Sequence, residues 1–181
     1  DPPTLLDQLK EVAIQFVEKL DDSDRLKIYT FDTQQYLIGY WPSVSVGAKT
    51  EIVQKINAIE SFGRDTALWD TICRGLEDLE QLALEGGKHY GMLLSFTDGK
   101  NTYPSTSHYR QDCMDKYETM YGSGYIYWVY NAFGEAEIPP VINERVDEGT
   151  IILIDSDIPK PIQLVFVEPR TLYFGNLYET G

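Results

Sequence analysis

The chain has 181 residues, 43% of them hydrophobic and 13% aromatic, with a formal net charge of -14 at pH 7. That length and composition fit one globular domain over 1-181 with a sizeable core, and no apolar run approaches the roughly 20 residues that span a bilayer, so no membrane insertion is expected. The negative field repels phosphate backbones and anionic lipid, which excludes a general nucleic-acid or membrane-surface role, and it suits divalent cations or a basic protein partner.

The elements follow in chain order. Leu5, Leu6, Leu9, Val12, Ala13, Phe16, Val17 and Leu20 recur at three- and four-residue steps, which predicts an amphipathic helix from Leu5 to Leu20. Thr4 and Asp7 are spaced as a capping box at its start. After the acidic turn Asp21 to Asp24, Leu26, Ile28 and Thr30 alternate with Arg25, Lys27, Tyr29 and Phe31, the pattern of a strand. Gln35 to Trp41 is a second strand, and so short a break between the two requires an antiparallel hairpin. Helices are predicted from Glu51 to Ile59 and from about Thr66 to Leu84, the second stopped by Gly86-Gly87. Tyr90 to Phe96 reads as a buried parallel strand covered on both faces, with Thr97-Asp98-Gly99 as the turn at its carboxyl end. Tyr109 to Tyr121 is a helix, Gly124 to Ala132 a buried strand, Glu137 to Asp147 a weaker helix, and Thr150 to Ile154 and Ile162 to Val167 two further strands. Helices alternating with buried strands predict an α/β fold: an open, mostly parallel twisted sheet with helices on both faces and one antiparallel edge strand.

The two cysteines, Cys73 and Cys113, are far apart in sequence and suggest neither a zinc site nor a disulfide framework. Cys73 sits in an apolar helical pattern and Cys113 in a polar one. Among the aromatics, Tyr125, Tyr127, Trp128 and Tyr130 fit a sheet core, and Trp41 and Trp69 are assigned partial exposure.

Three segments together resemble the von Willebrand factor A-type (vWA) family. They are the helix, acidic turn and strand running from Leu5 through Lys27-Ile28-Tyr29-Thr30-Phe31-Asp32, the stretch Gly63-Arg64-Asp65-Thr66-Ala67-Leu68 opening a helix, and the apolar strand ending Ser95-Phe96-Thr97-Asp98-Gly99. The resemblance is strongest over residues 4-150. It implies a MIDAS-like divalent-metal site, most simply for magnesium (Mg2+), at the carboxyl edge of the sheet. There Thr66 and Asp98 match two metal ligands, and Asp65, Gly99, Lys100 and Tyr103 rim the surface that meets a protein partner through an acidic side chain. Hydroxyl and carboxylate groups are hard oxygen ligands, and an incompletely filled octahedron leaves room for the partner's carboxylate. The function implied is a non-catalytic protein-interaction module of the ligand-binding or cell-adhesion type, not an enzyme. The family favours an extracellular or cell-surface setting, although no signal peptide is seen.

The chain departs from the family in one respect. The family's first strand and its Asp-x-Ser-x-Ser loop should precede Leu5, where Asp1-Pro2-Pro3-Thr4 stands. The missing strand is split off into a separate piece or permuted to the C-terminus, where Pro161 to Val167 reads like such a strand. With two remaining ligands, Mg2+ binds weakly unless the rest are supplied. Two other readings compete. Ile151 to Asp157 resembles the strand and Asp-x-Asp of haloacid-dehalogenase-type phosphatases, with Asp155 as nucleophile and Asp157 as general acid/base working with Mg2+. A structural subunit of a larger assembly is the third.

Overall fold

The computed structural model describes residues 4-60, 66-85, 91-97, 102, 107-122, 126-133 and 151-154. Helix α1 spans Leu5–Lys19 and is capped as its sequence predicts. The Asp7 amide donates to the Thr4 hydroxyl at 3.1 Å, and the Thr4 amide donates to the Asp7 carboxylate at 2.9 Å. Those bonds from Thr4 hold the Asp7 carboxyl below its ordinary range. Strands β1 (Leu26–Phe31) and β2 (Gln35–Trp41) pair antiparallel, Leu26 opposite Trp41, with a bulge between Ile28 and Tyr29. The Asp32 carboxylate accepts the Gln34 amide at 2.9 Å, so this side chain closes the hairpin turn.

Helix α2 runs Val46–Asn57, five residues earlier than the apolar spacing implies. Its start is set by Ser45, whose hydroxyl accepts the Ala48 amide at 3.3 Å, and its buried face is only Ile52 and Ile56. The first turn, Val46-Gly47-Ala48-Lys49, is started by one serine cap and leaves Val46 exposed, so no apolar periodicity marks it. Helix α3 (Leu68–Leu84), strand β3 (Gly91–Thr97), helix α4 (Ser107–Gly122) and strands β4 (Ile126–Phe133) and β5 (Ile151–Ile154) follow.

The fold is mixed α/β with two small sheets: antiparallel β1-β2, and parallel β3-β4-β5 in that order. No hydrogen-bonded ladder joins β1 to β3, and among the described residues no strand lies between them. Gly91 and Thr97 at the two ends of β3 are buried, and Met92 to Phe96 between them are half-buried. Among the described residues, β3 pairs with β4 along one edge. The predicted helix at 137-147 and strand at 162-167 lie outside the described residues.

Alternation along β1 sends its side chains to two layers. Leu26 and Ile28 pack with Val17, Trp41, Val44, Ile52 and Ile56 in a core shared with α1 and α2. Phe31, on the opposite face, packs against the second core, built from α3, α4 and β4. Polar contacts extend that second seat. The Tyr29 hydroxyl donates to Asp78 at 2.7 Å, the Lys27 ammonium pairs with Asp78 at 2.8 Å, and Arg25 pairs with Glu85. Burial alone would lower the Lys27 pKa, but the hydrogen bond and charge of Asp78 outweigh it and leave it raised. Helix α3 therefore runs back along β1, from its C-terminal end toward its N-terminal end.

The same helix packs on β3. A Cβ at Gly75 would lie 2.6 Å from the Leu93 side chain, so glycine permits this close approach of helix to strand. In the second core Trp128 is fully buried and makes edge-to-face contacts with Tyr117 (centroids 5.3 Å apart) and Tyr130 (5.7 Å). Its indole N–H donates to the Ser95 hydroxyl at 2.8 Å, which satisfies the one polar atom of the ring. Trp128 and Tyr130 are core residues, as their strand pattern predicts; the side chains of Tyr125 and Tyr127 lie outside the described set.

Three expectations for individual side chains are overturned. Trp41 and Trp69 are buried rather than partly exposed, at 6% and 1% accessibility. The Trp41 ring lies across Gly39, where a Cβ would sit 2.3 Å from it, and Lys55 covers the ring from 5.5 Å. A glycine two residues away on the same strand face makes that space. Cys113 belongs to the core, with Met114 and Tyr117 beside it, although the surrounding sequence is polar. It is joined to Cys73 as a disulfide between α4 and α3, with Cα atoms 5.3 Å apart. A separation of 40 residues in sequence closes because the two helices lie side by side.

Candidate functional site at the carboxyl ends of the strands

The chain leaves β1 at Asp32 and β3 at Thr97, and both exits are tied to the start of α3. The Ala67 amide donates to the Asp32 carbonyl at 2.6 Å. The Thr66 amide donates to the Thr102 hydroxyl at 2.8 Å, and the Thr102 amide returns to the Thr66 carbonyl at 3.2 Å. Three segments distant in sequence thus meet at one end of the molecule: the end of β1, the entry to α3, and the segment after β3.

Thr66 sits two residues before α3 begins, so it is neither in the helix nor its cap. The N-cap is Ala67, which makes no side-chain capping bond. The Thr66 hydroxyl accepts no amide and makes no hydrogen bond among the described residues, which leaves it available as an oxygen donor. Ala67 supplies no side-chain cap to α3, and a helix N-terminus carries partial positive charge. That polarity favours an anionic group near Thr66 and demands carboxylates beside any cation held there.

Asp32 has a different role. Its side chain is spent on the hairpin turn, with the Gln34 amide at 2.9 Å and the Thr33 hydroxyl at 3.3 Å on the same oxygen. Its backbone carbonyl fixes Ala67. Through these bonds it fixes the hairpin turn and the start of α3.

Asp65, Asp98, Gly99, Lys100 and Tyr103 lie outside the described residues, as do Asp155 and Asp157. Thr97, immediately before Asp98, is 4% exposed, so the strand carries a buried polar side chain to its carboxyl end. Among the described residues no group of three or more His, Cys, Asp or Glu side chains could hold a metal ion. Thr66 is of another type, and its expected companion Asp98 falls outside that set. Strand β5 ends at Ile154, parallel to β4, so residue 155 follows a strand end.

Two residues near this edge carry no legible signal in the sequence. Thr102 contributes both of its backbone-directed bonds to Thr66, yet a threonine in a polar loop announces nothing. Arg110, near the start of α4, places its guanidinium 4.5 Å above the Trp69 ring. That contact crosses between two helices whose pairing is not encoded locally.

No family model matches the chain, and no curated protein matches it. Among the described residues no helix is long and apolar enough to cross a membrane.

Proposed function

We propose that this chain is a vWA-type protein-interaction module that binds its partner at the carboxyl ends of β1 and β3, and that it is not an enzyme. The observation carrying the reading is the junction of Asp32, Thr66-Ala67 and Thr102, which gathers the two strand exits at the start of one helix. Open α/β folds place their ligand sites at this edge. In this reading β1-β2 and β3-β4-β5 are two parts of one open, mostly parallel sheet, and a further strand belongs between β1 and β3. Helix α3 packing on both strands, with no ladder between the two among the described residues, supports that arrangement. Unpaired strand edges on both sides of such a gap expose backbone donors and acceptors that a stable domain pairs.

Thr66 and Asp98 are the chain's own candidates for holding Mg2+. They fit it in kind, as hard oxygen donors, and fall short in number of the six that Mg2+ requires. A bound cation would supply a fixed positive charge for an acidic side chain of the partner. The chain's part is to hold Thr66 in place through the Thr102 and Asp32 bonds, and to present Asp65, Gly99, Lys100 and Tyr103 around it.

The test is association with a partner captured on the immobilised chain, measured with and without EDTA and with Asp98→Ala. The reading requires that EDTA and the substitution each weaken binding. Binding indifferent to both would sink its metal-dependent form. Mg2+-dependent hydrolysis of an aryl phosphate, abolished by Asp155→Ala, would replace it with the phosphatase reading.

A further inference from the structure

Helices α3 and α4 run in the same direction and meet through three ties. Arg110 stacks on Trp69, Cys113 is joined to Cys73, and Lys116 pairs with Glu80 at 2.8 Å. The last of these is weak. The Lys116 and Glu80 side chains are 31% and 43% exposed, so water and salt screen the pair. The apolar face that α4 brings is short, essentially Cys113, Met114, Tyr117 and Met120 on an otherwise polar helix. The covalent tie lies between the other two, at the centre of the interface.

The cysteines suit that role. They are the only two in the chain. Their Cα separation of 5.3 Å is inside the disulfide range. Both are buried, at 5% and 2% accessibility, so once the bond forms a reductant reaches it only when the helices part.

We propose that the Cys73–Cys113 bond is an obligatory staple of the α3–α4 unit, and that the chain matures where a disulfide donor is present. In forming it, one cysteine thiolate attacks the donor disulfide and releases one donor thiol. The second thiolate then displaces the other. The two cysteine thiols are oxidised, the donor is reduced to two thiols, and the cysteine protons end on them. The donor class is a small-molecule disulfide or a disulfide oxidoreductase. Because Trp69 and the entry to α3 lie within two turns of Cys73, the staple also steadies Thr66. The inference does not depend on what binds there.

The experiment refolds the full chain from its reduced, denatured form, once with oxidised and reduced glutathione and once in dithiothreitol. Thiols are counted by alkylation and mass in denaturant, and amide exchange is mapped by mass spectrometry. After oxidative refolding no thiol should alkylate, and a non-reduced digest should contain the Cys73–Cys113 peptide pair. Residues 68-84 and 107-122 should then exchange roughly 100-fold more slowly than in dithiothreitol, as closing a long loop predicts. Residues 5-19 and 46-57, which belong to the other core, should differ little between the two forms. The Cys73→Ala/Cys113→Ala variant should match the dithiothreitol form. Two alkylatable thiols after oxidative refolding would overturn the proposal. So would protection of α3 and α4 that is equal in both forms, or loss in dithiothreitol spread evenly over both cores.

Discussion

Asp78 is the α3 carboxylate that meets two residues of β1, and its removal gives a quantitative test. Asp78 accepts the Tyr29 hydroxyl at 2.7 Å on one oxygen and faces the Lys27 ammonium at 2.8 Å on the other. The Lys27 and Asp78 side chains are 32% and 22% exposed, which keeps part of the pair out of water without burying it. A hydrogen bond to a charged group contributes about 1.5–3 kcal/mol, and an ion pair this accessible adds about 0.5 kcal/mol. Asp78→Ala should therefore cost about 2–3.5 kcal/mol, measured as a shift of the urea midpoint at unchanged slope. Tyr29→Phe alone should cost about 1 kcal/mol. The double variant should cost less than the sum, with a coupling energy of about 1 kcal/mol. Asp78→Asn keeps an acceptor for Tyr29 and should lose only the smaller, ionic share. A coupling energy within about 0.3 kcal/mol of zero would mean that the two residues do not meet, and α3 would not lie along β1.

Further outcomes follow from other contacts. Ser95→Ala leaves the fully buried Trp128 indole N–H without its acceptor and should destabilise by about 1–3 kcal/mol; a cost near zero in thermal unfolding would contradict the contact. The Asp7 carboxyl is held below its ordinary value, so its contribution to folding is present above the unfolded carboxylate range and is lost as pH falls through the folded pKa. The stability difference between the wild-type chain and Asp7→Ala should stay constant above about pH 5 and shrink below about pH 4. A difference that did not change with pH would remove the charged capping box from α1.

The legible part of this structure is local. Apolar spacing located α1 and most of α3, alternation located β1, and the Thr4–Asp7 spacing announced a capping box that forms as written. The start of α2 was not legible, because it depends on the Ser45 cap and on a first turn whose Val46 is exposed rather than on periodicity. Nor were Trp41 and Cys113, whose burial is decided by a glycine beneath one and a neighbouring helix beside the other. For the site, sequence pointed to Thr66 by resemblance. What it could not supply was Thr102 and the Asp32 carbonyl, since those bonds join segments far apart in the chain. Long-range closure of this kind has no signature in the identity of a threonine or of a backbone carbonyl.

The central claim is that the junction of Asp32, Thr66-Ala67 and Thr102 is a binding site for a cation and, through it, an acidic partner. Its most direct measurement is a Mg2+ titration of the full chain followed by backbone amide chemical shifts. The account predicts saturable, weak binding with the changes concentrated at residues 66-70 and 98-102, and their loss in Thr66→Ala and in Asp98→Ala. Changes scattered over the acidic surface, or localised changes that persist in both variants, would contradict it.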